Sequence, residues 1–287
     1  MKEIEHEAFM RQEYPQRYLD DGSLNLSPAH FPLHSSLIIN NHCKRLGLKF
    51  EDIFKLNSQG LRCDEFTKSH EGKTHILFAG CSYTFGDGLP LEHIWAYKTY
   101  NHLSSMLGDT SGYFNVATPS ASILSISLQI LKYTSMYGYP DMLLVMMPDS
   151  DREMLNDVDP QRMQGLASQM YGLMSRLLKD NGCKVITMSW DAIANKHDTP
   201  GKRIKEFDPR TRMVDDFFQF IPNDRDLYVY EMDKRNNSFL GSYEEFVVTA
   251  MDNHHPGIAE HDFYYNFVAD IIDGKVTSSV PFTAYEV

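Results

Sequence analysis

DMLLVMMP, residues 141–148, is the stretch whose reading decides the fold. Between Asp141 and Pro148 every residue is apolar, so no side chain is left to face water on either side. A strand buried on both faces belongs to a parallel sheet covered by helices above and below; a strand with one wet face alternates instead. The flanking segments supply the helices that such a sheet needs. Residues 121–137 place Ile123, Leu124, Leu128, Leu131 and Tyr133 at three- and four-residue steps, the spacing of an apolar helical stripe. Residues 161–180 read as a long amphipathic helix, with Gly182 as its C-cap.

Working outward, the alternation continues. THILFAG (74–80), YFNVAT (113–118), KVITMSW (184–190) and DLYVYE (226–231) are further strands, and residues 91–107, 210–220 and 258–273 are further helices. In the 91–107 segment Ile94, Tyr97, Leu103 and Leu107 carry the helical spacing. Strands alternating with helices predict an α/β fold: a three-layer α/β/α sandwich around a doubly wound, parallel, five-stranded sheet of flavodoxin-like type. This domain is expected over residues 73–287. Residues 1–72 read as irregular, with scattered Pro and Asn and one short apolar run, SLIIN (36–40). So few core-forming residues predict an N-terminal extension packed on the main domain rather than an independent unit.

Composition narrows the function. The 287 residues are 42% hydrophobic and 23% charged, as in an ordinary globular protein. Lys plus Arg number 27 against 39 Asp plus Glu, a formal net charge of -12. An acidic surface repels phosphate backbones and anionic lipid, so neither nucleic acid nor membrane is expected as a partner. No run approaches the ~18 apolar residues of a membrane span. The first residues, MKEIEHEAFMRQEYPQRYLDD, lack the apolar core of a secretory signal, and a cytoplasmic location is expected. Cys43, Cys63, Cys81 and Cys183 are far apart with no CxxC spacing, which predicts reduced thiols and no zinc site.

In doubly wound sheets, ligands bind beyond the carboxyl ends of the strands, so the chemistry is sought in the loops that follow them. After the first strand comes Gly80-Cys81-Ser82-Tyr83-Thr84-Phe85-Gly86-Asp87-Gly88. Its glycines permit a tight turn and bring backbone N–H groups close to a substrate oxygen, with Ser82 at the open end of the sheet. Glycine- and serine-rich turns after strands are common, so a purely structural role stays open. Before the last helix lies Asp252-Asn253-His254-His255-Pro256-Gly257. An imidazole held by a carboxylate takes up and returns a serine proton, and Asp252 and His255 are near enough in sequence to pair locally. Asp252 equally fits the N-cap of the helix that follows. Trp190 and Asp191, after the fourth strand, face the same sheet end, as pocket residues or as a partly buried strand terminus.

Together, GCSYTFGDG and DNHHPGIAEHDFY resemble the first and last blocks of the SGNH/GDSL hydrolase superfamily, and NSQGLRCDEF (57–66) is similar to the lead-in of bacterial members. The resemblance spans roughly residues 55–273. It implies a serine hydrolase cleaving a carboxylic ester, by family analogy an O-acyl group on carbohydrate. The implied roles are Ser82 as nucleophile, His255 as base and Asp252 as its carboxylate. The implied oxyanion hole is Ser82, Ser120 and Ser150. No cofactor and no metal are implied, and the expected partner is a small-molecule or glycan ester.

Three blocks depart from the family pattern. Cys81 stands where Asp is frequent, and Ser120 aligns with a glycine that gives its N–H to the oxyanion. Pro148-Asp149-Ser150-Asp151 replaces Gly-x-Asn-Asp, so Ser150 takes the place of an asparagine amide. A hydroxyl reaches less far, and loss of one oxyanion donor typically costs ~100- to 1000-fold in turnover. Arg152 is a further donor candidate. The alternative that this block raises is a catalytically weakened or inactive SGNH-fold binding or assembly module.

Overall fold

The structure, a computed structural model, describes residues 33–49, 53–68, 70, 72–148, 160–189, 246, 250–251 and 255–273. The expected helix at 210–220 and strand at 226–231 lie outside those residues. Helix α1 covers Leu33–Leu46, strand β1 Ile76–Gly80, and α2, a single turn, Ser82–Phe85. A 3-10 turn over Leu91–His93 leads into α3, Trp95–Leu107. Then come β2 (Phe114–Asn115), α4 (Ile123–Tyr137), β3 (Met142–Met147), α5 (Pro160–Asp180), β4 (Lys184–Ser189) and α6 (Ile258–Ile272).

Among the described residues the sheet has four strands rather than the expected five, all parallel, in the order β2-β1-β3-β4. Gly80 at the end of β1 lies opposite Met146 of β3. The chain therefore leaves β1 toward one edge and returns past it to build the other. That reversal opens a crevice at the carboxyl ends of β1 and β3.

Alternation along the strands sorts the core into two layers. Leu77, Ala79, Leu143, Val145 and Met147 pack with Ile126, Ile130 and Tyr133 of α4 and with Tyr171, Met174 and Leu178 of α5. Ile76, Phe78, Leu144, Met146, Ile186 and Met188 pack on the opposite face with Trp95 and Leu103 of α3 and with Phe263, Tyr264 and Phe267 of α6. Burying each such large side chain contributes about 1.5–3 kcal/mol. This is a doubly wound α/β/α sandwich.

Local structure corrects several sequence boundaries. The expected helix at 91–107 is broken at Ile94, whose extended backbone (φ -80, ψ 133) separates the 3-10 turn from α3. The strand expected over 113–118 is reduced to two residues. Within 1–72, expected to be irregular, residues 33–46 form α1, with Ile39 and Cys43 fully buried one turn apart. Those two join Ile53, Phe54, Phe85, Leu89, Ala117, Met251 and Ile258 in a third apolar cluster. Several of its members belong to the loops around Ser82 and His255.

Candidate functional site

Ser82 is positioned by an abrupt end to β1. A Cβ on Gly80 would lie 2.1 Å from Thr84 Oγ1 and 2.9 Å from the Met146 carbonyl, so only glycine lets the chain turn this closely over β3. Cys81 is extended, and the amides of Thr84 and Phe85 donate to its carbonyl at 3.0 and 2.9 Å. The amides of Gly86 and Asp87 donate in turn to the Ser82 carbonyl at 2.7 and 3.2 Å. Gly86 (φ 80) and Gly88 (φ 77) sit in the left-handed region on either side of Asp87. Asn115 of β2 braces the turn, donating from Nδ2 to the Thr84 carbonyl at 3.0 Å. Ser82 is held with 3% of its surface exposed.

The loop before α6 meets this turn directly. Met251 N donates to the Gly88 carbonyl at 2.9 Å, and Ala250 N donates to the His255 carbonyl at 3.0 Å. His255 Nε2 lies 3.8 Å from Asp87 Oδ2, with side chains 17% and 7% exposed. The Tyr83 ring stands edge-on to the imidazole, with centroids 6.0 Å apart. Two loops from distant parts of the chain thus share one rim of the sheet. Ser82 and His255 are brought to that rim on neighbouring loops. Asp252, His254, Ser150, Arg152, Trp190 and Asp191 lie outside the described residues.

Ser120 lies on the same rim, because Thr118 N donates to the Gly80 carbonyl at 3.3 Å. At φ 56 it is the one non-glycine residue with positive φ among those described. Left-handed backbone costs an ordinary residue about 1–2 kcal/mol and persists only where its surroundings enforce it.

Two residues of the site carried no assigned role in the sequence reading. Arg62 is 1% exposed. Its Nη2 donates to the carbonyls of Ile53 and Leu89 at 2.7 and 2.5 Å. Its Nη1 donates to the carbonyls of Gly86 and Phe85 at 2.5 and 3.5 Å. Its guanidinium also stacks over the Phe54 ring, 4.5 Å from the centroid. Burial pushes the guanidinium pKa down to about 10, against the opposing pull of Tyr113, Asp87 and Glu92, so it stays charged at neutral pH. Asp87 is 5% exposed and lies among the groups that act on Arg62 electrostatically. The sequence signal for both was weak: one Arg inside NSQGLRCDEF, and one Asp between two glycines.

The lead-in that carries Arg62 is itself pinned. Asn57 Oδ1 accepts from the amides of Gln59 and Leu61 at 3.0 and 2.9 Å. Asp64 pairs with Tyr113 in both directions, its amide donating at 3.0 Å and its Oδ2 accepting at 2.9 Å. The segment therefore runs along β2 and reaches the site from beneath.

His261, one turn into α6, is fully buried, and its Nδ1 accepts from Trp95 N at 3.2 Å. Burial, then Lys98 and His255, push its pKa down to about 3, so it is a neutral packing residue. All four cysteines are free thiols, and burial raises those of Cys63 and Cys183, the latter to about 12. Among the described residues no group of His, Cys, Asp and Glu is arranged to hold a metal, and no helix is long and apolar enough to cross a membrane.

With this geometry in view, the chain is a doubly wound α/β/α sandwich with a serine just after β1 and a His-Pro step before the last helix. The chain matches no family model and no curated protein. Among solved structures it is similar to a two-domain esterase active on acetylated mannans, crystallised with mannopentaose. That match has 14% identity, a TM-score of 0.42, and covers 72% of this chain and 51% of that one. The chain thus spans about half the length of that esterase. It is also similar to a GDSL-like lipase from Bacteroides thetaiotaomicron, with 14% identity, a TM-score of 0.38, and coverage of 74% of this chain and 93% of that one.

Proposed function

We propose that this protein is a serine hydrolase of the SGNH/GDSL type that cleaves a carboxylic ester, with an O-acyl group on carbohydrate as the preferred substrate class. The observation that carries the reading is the convergence of the two loops. Met251 is hydrogen-bonded to Gly88, and His255 lies against the turn that starts with Ser82. In the reaction, His255 removes the proton from Ser82 Oγ as that oxygen attacks the acyl carbon. Asp252 orients the imidazole. Backbone N–H groups of Ser82 and Ser120, with the Ser150 hydroxyl, hold the oxyanion. His255 then gives the proton to the departing alcohol, leaving an acyl group on Ser82. A water repeats the sequence: His255 takes its proton, the oxygen attacks the acyl carbon, and the acid leaves as Ser82 regains its proton. No metal or organic cofactor enters this scheme.

A second reading is a binding or assembly module that retains the fold with a weakened or dead site. It is favoured by Ser150 in place of an amide donor and by the 3% exposure of Ser82. Turnover of short-chain aryl esters and acetylated sugars, together with fluorophosphonate labelling, separates the two. The hydrolase reading expects labelling at Ser82 and loss of turnover in Ser82→Ala. Equal turnover in Ser82→Ala and wild type removes Ser82 from the mechanism. Absence of both labelling and turnover favours the binding module.

A further inference from the structure

We propose that Asp87, held in place by Arg62, is a positioning carboxylate for His255, distinct from Asp252 and located on the same turn as Ser82. The inference rests on the reading of His255 as the proton carrier. Four observations carry it. First, Asp87 Oδ2 lies 3.8 Å from His255 Nε2, and the carboxylate is nearly enclosed, with its side chain 7% exposed. A buried carboxylate is retained where cations or donors face it. Second, a left-handed glycine on each side fixes where Asp87 points, at φ 80 for Gly86 and φ 77 for Gly88. A Cβ on Gly86 would lie 2.2 Å from Ile94 Cδ1, so the turn is wedged against α3's lead-in.

Third, the Asp87 amide donates to the Ser82 carbonyl at 3.2 Å, which ties the carboxylate to the nucleophile's own backbone. Fourth, Arg62 grips the carbonyls of Gly86 and Leu89, the residues bracketing Asp87 and Gly88, and its buried charge faces Asp87. Arg62 thus fixes the turn and favours the ionised carboxylate.

The contact is at the nitrogen that would receive the Ser82 proton. At 3.8 Å, beyond hydrogen-bond length, the carboxylate acts through its charge, stabilising the imidazolium that forms as the serine oxygen attacks. Among the described residues, the Tyr83 ring of α2 stands edge-on to the imidazole, and His261 of α6 interacts with His255 electrostatically. His261 is kept neutral mainly by burial, and the Asp87 carboxylate is the anionic group that the structure shows against the His255 ring.

The test is an imidazole NMR titration of His255, assigned by its disappearance in His255→Gln, with kcat and KM followed across pH. In Asp87→Asn the His255 pKa is expected to fall by about 1 unit or more, as for loss of an opposite charge within 4–6 Å. The acid limb of kcat/KM then moves to lower pH, kcat drops with KM unchanged, and Asp87→Glu restores both. Unchanged titration of His255 in Asp87→Asn overturns the inference. Should Asp87→Asn not fold, Asp87→Ser decides it by the same comparison: a His255 titration midpoint below that of the wild type supports the role of Asp87, and an unchanged one overturns it. If no ester is turned over, the hydrolase reading fails while the titration still decides the Asp87–His255 pair.

Discussion

Arg62→Met is the most informative single change for the stability of the site. Methionine matches much of the arginine stem in volume and can still pack on Phe54, so the change isolates the guanidinium. Its loss strands three close carbonyls, those of Gly86 at 2.5 Å, Leu89 at 2.5 Å and Ile53 at 2.7 Å, in an interior where Arg62 is 1% exposed. A buried acceptor left unpaired costs about 1–3 kcal/mol, and removing one partner of a buried charge set costs about 3–5 kcal/mol. Water entering behind Phe54 offsets part of this. The expected loss is therefore about 3–5 kcal/mol, a large share of the roughly 5–15 kcal/mol of a typical domain. Urea unfolding followed by circular dichroism measures it, with the midpoint falling at unchanged slope. Arg62→Lys keeps a charge but cannot bridge carbonyls on both sides, so most of the loss is expected there too. A loss of roughly 0.5 kcal/mol or less in Arg62→Met, the range of a surface substitution, would refute the clamp.

Two other outcomes follow from the same geometry. Ser120→Gly should leave stability equal or raise it by up to about 1 kcal/mol, since relief of the left-handed backbone at φ 56 outweighs the added freedom of the unfolded glycine. Ester turnover should persist if the backbone N–H is what the site uses, and a marked loss of either would show that the hydroxyl matters. Acid should destabilise the fold through buried histidines. His75 is pushed down to about 4, first by burial and then by His70, which stacks on it at 3.7 Å. His261 is pushed down to about 3. Both are neutral in the folded chain, while the unfolded chain binds protons below about pH 6.5, so stability is full above that pH and falls beneath it. The expected loss is of order 2–4 kcal/mol on going from about pH 6.5 to pH 5, and denaturant midpoints that stay flat across that window would contradict it.

How far the sequence reveals this molecule depends on how local each determinant is. The β1, β3 and β4 strands were legible because their apolar runs need no partner to be recognised, and β3 alone implied helices on both faces. Helix α4 was legible in extent but not in orientation. The stripe read from its spacing includes Leu128, which is 46% exposed, whereas Ile126 and Ile130 are fully buried. The segment has apolar residues all round, so the sheet, not the spacing, chooses the face. In α5 the same ambiguity leaves Leu166, Leu173 and Leu177 outward while Tyr171, Met174 and Leu178 fill the core. Helix α1 is not legible in the sequence because Ser and Asn have weak helix propensity. Its burial of Ile39 and Cys43 against Phe85 and Leu89 is a long-range contact.

The site divides along the same line. Gly80 is readable because a tight turn after a buried strand demands a residue without a side chain. Arg62 and Asp87 are not, because what makes them matter is a set of backbone carbonyls and an imidazole supplied by other segments. An arginine in sequence carries no mark of burial; here that burial is possible only because the turn after Ser82 points its Gly86 and Leu89 carbonyls inward. The glycines that make the Ser82 turn possible therefore also create the need for Arg62, and the segment at 57–66 and the loop after β1 must fold as one unit. Disturbing the lead-in should then perturb His255 through Asp87 even though no lead-in residue touches the imidazole.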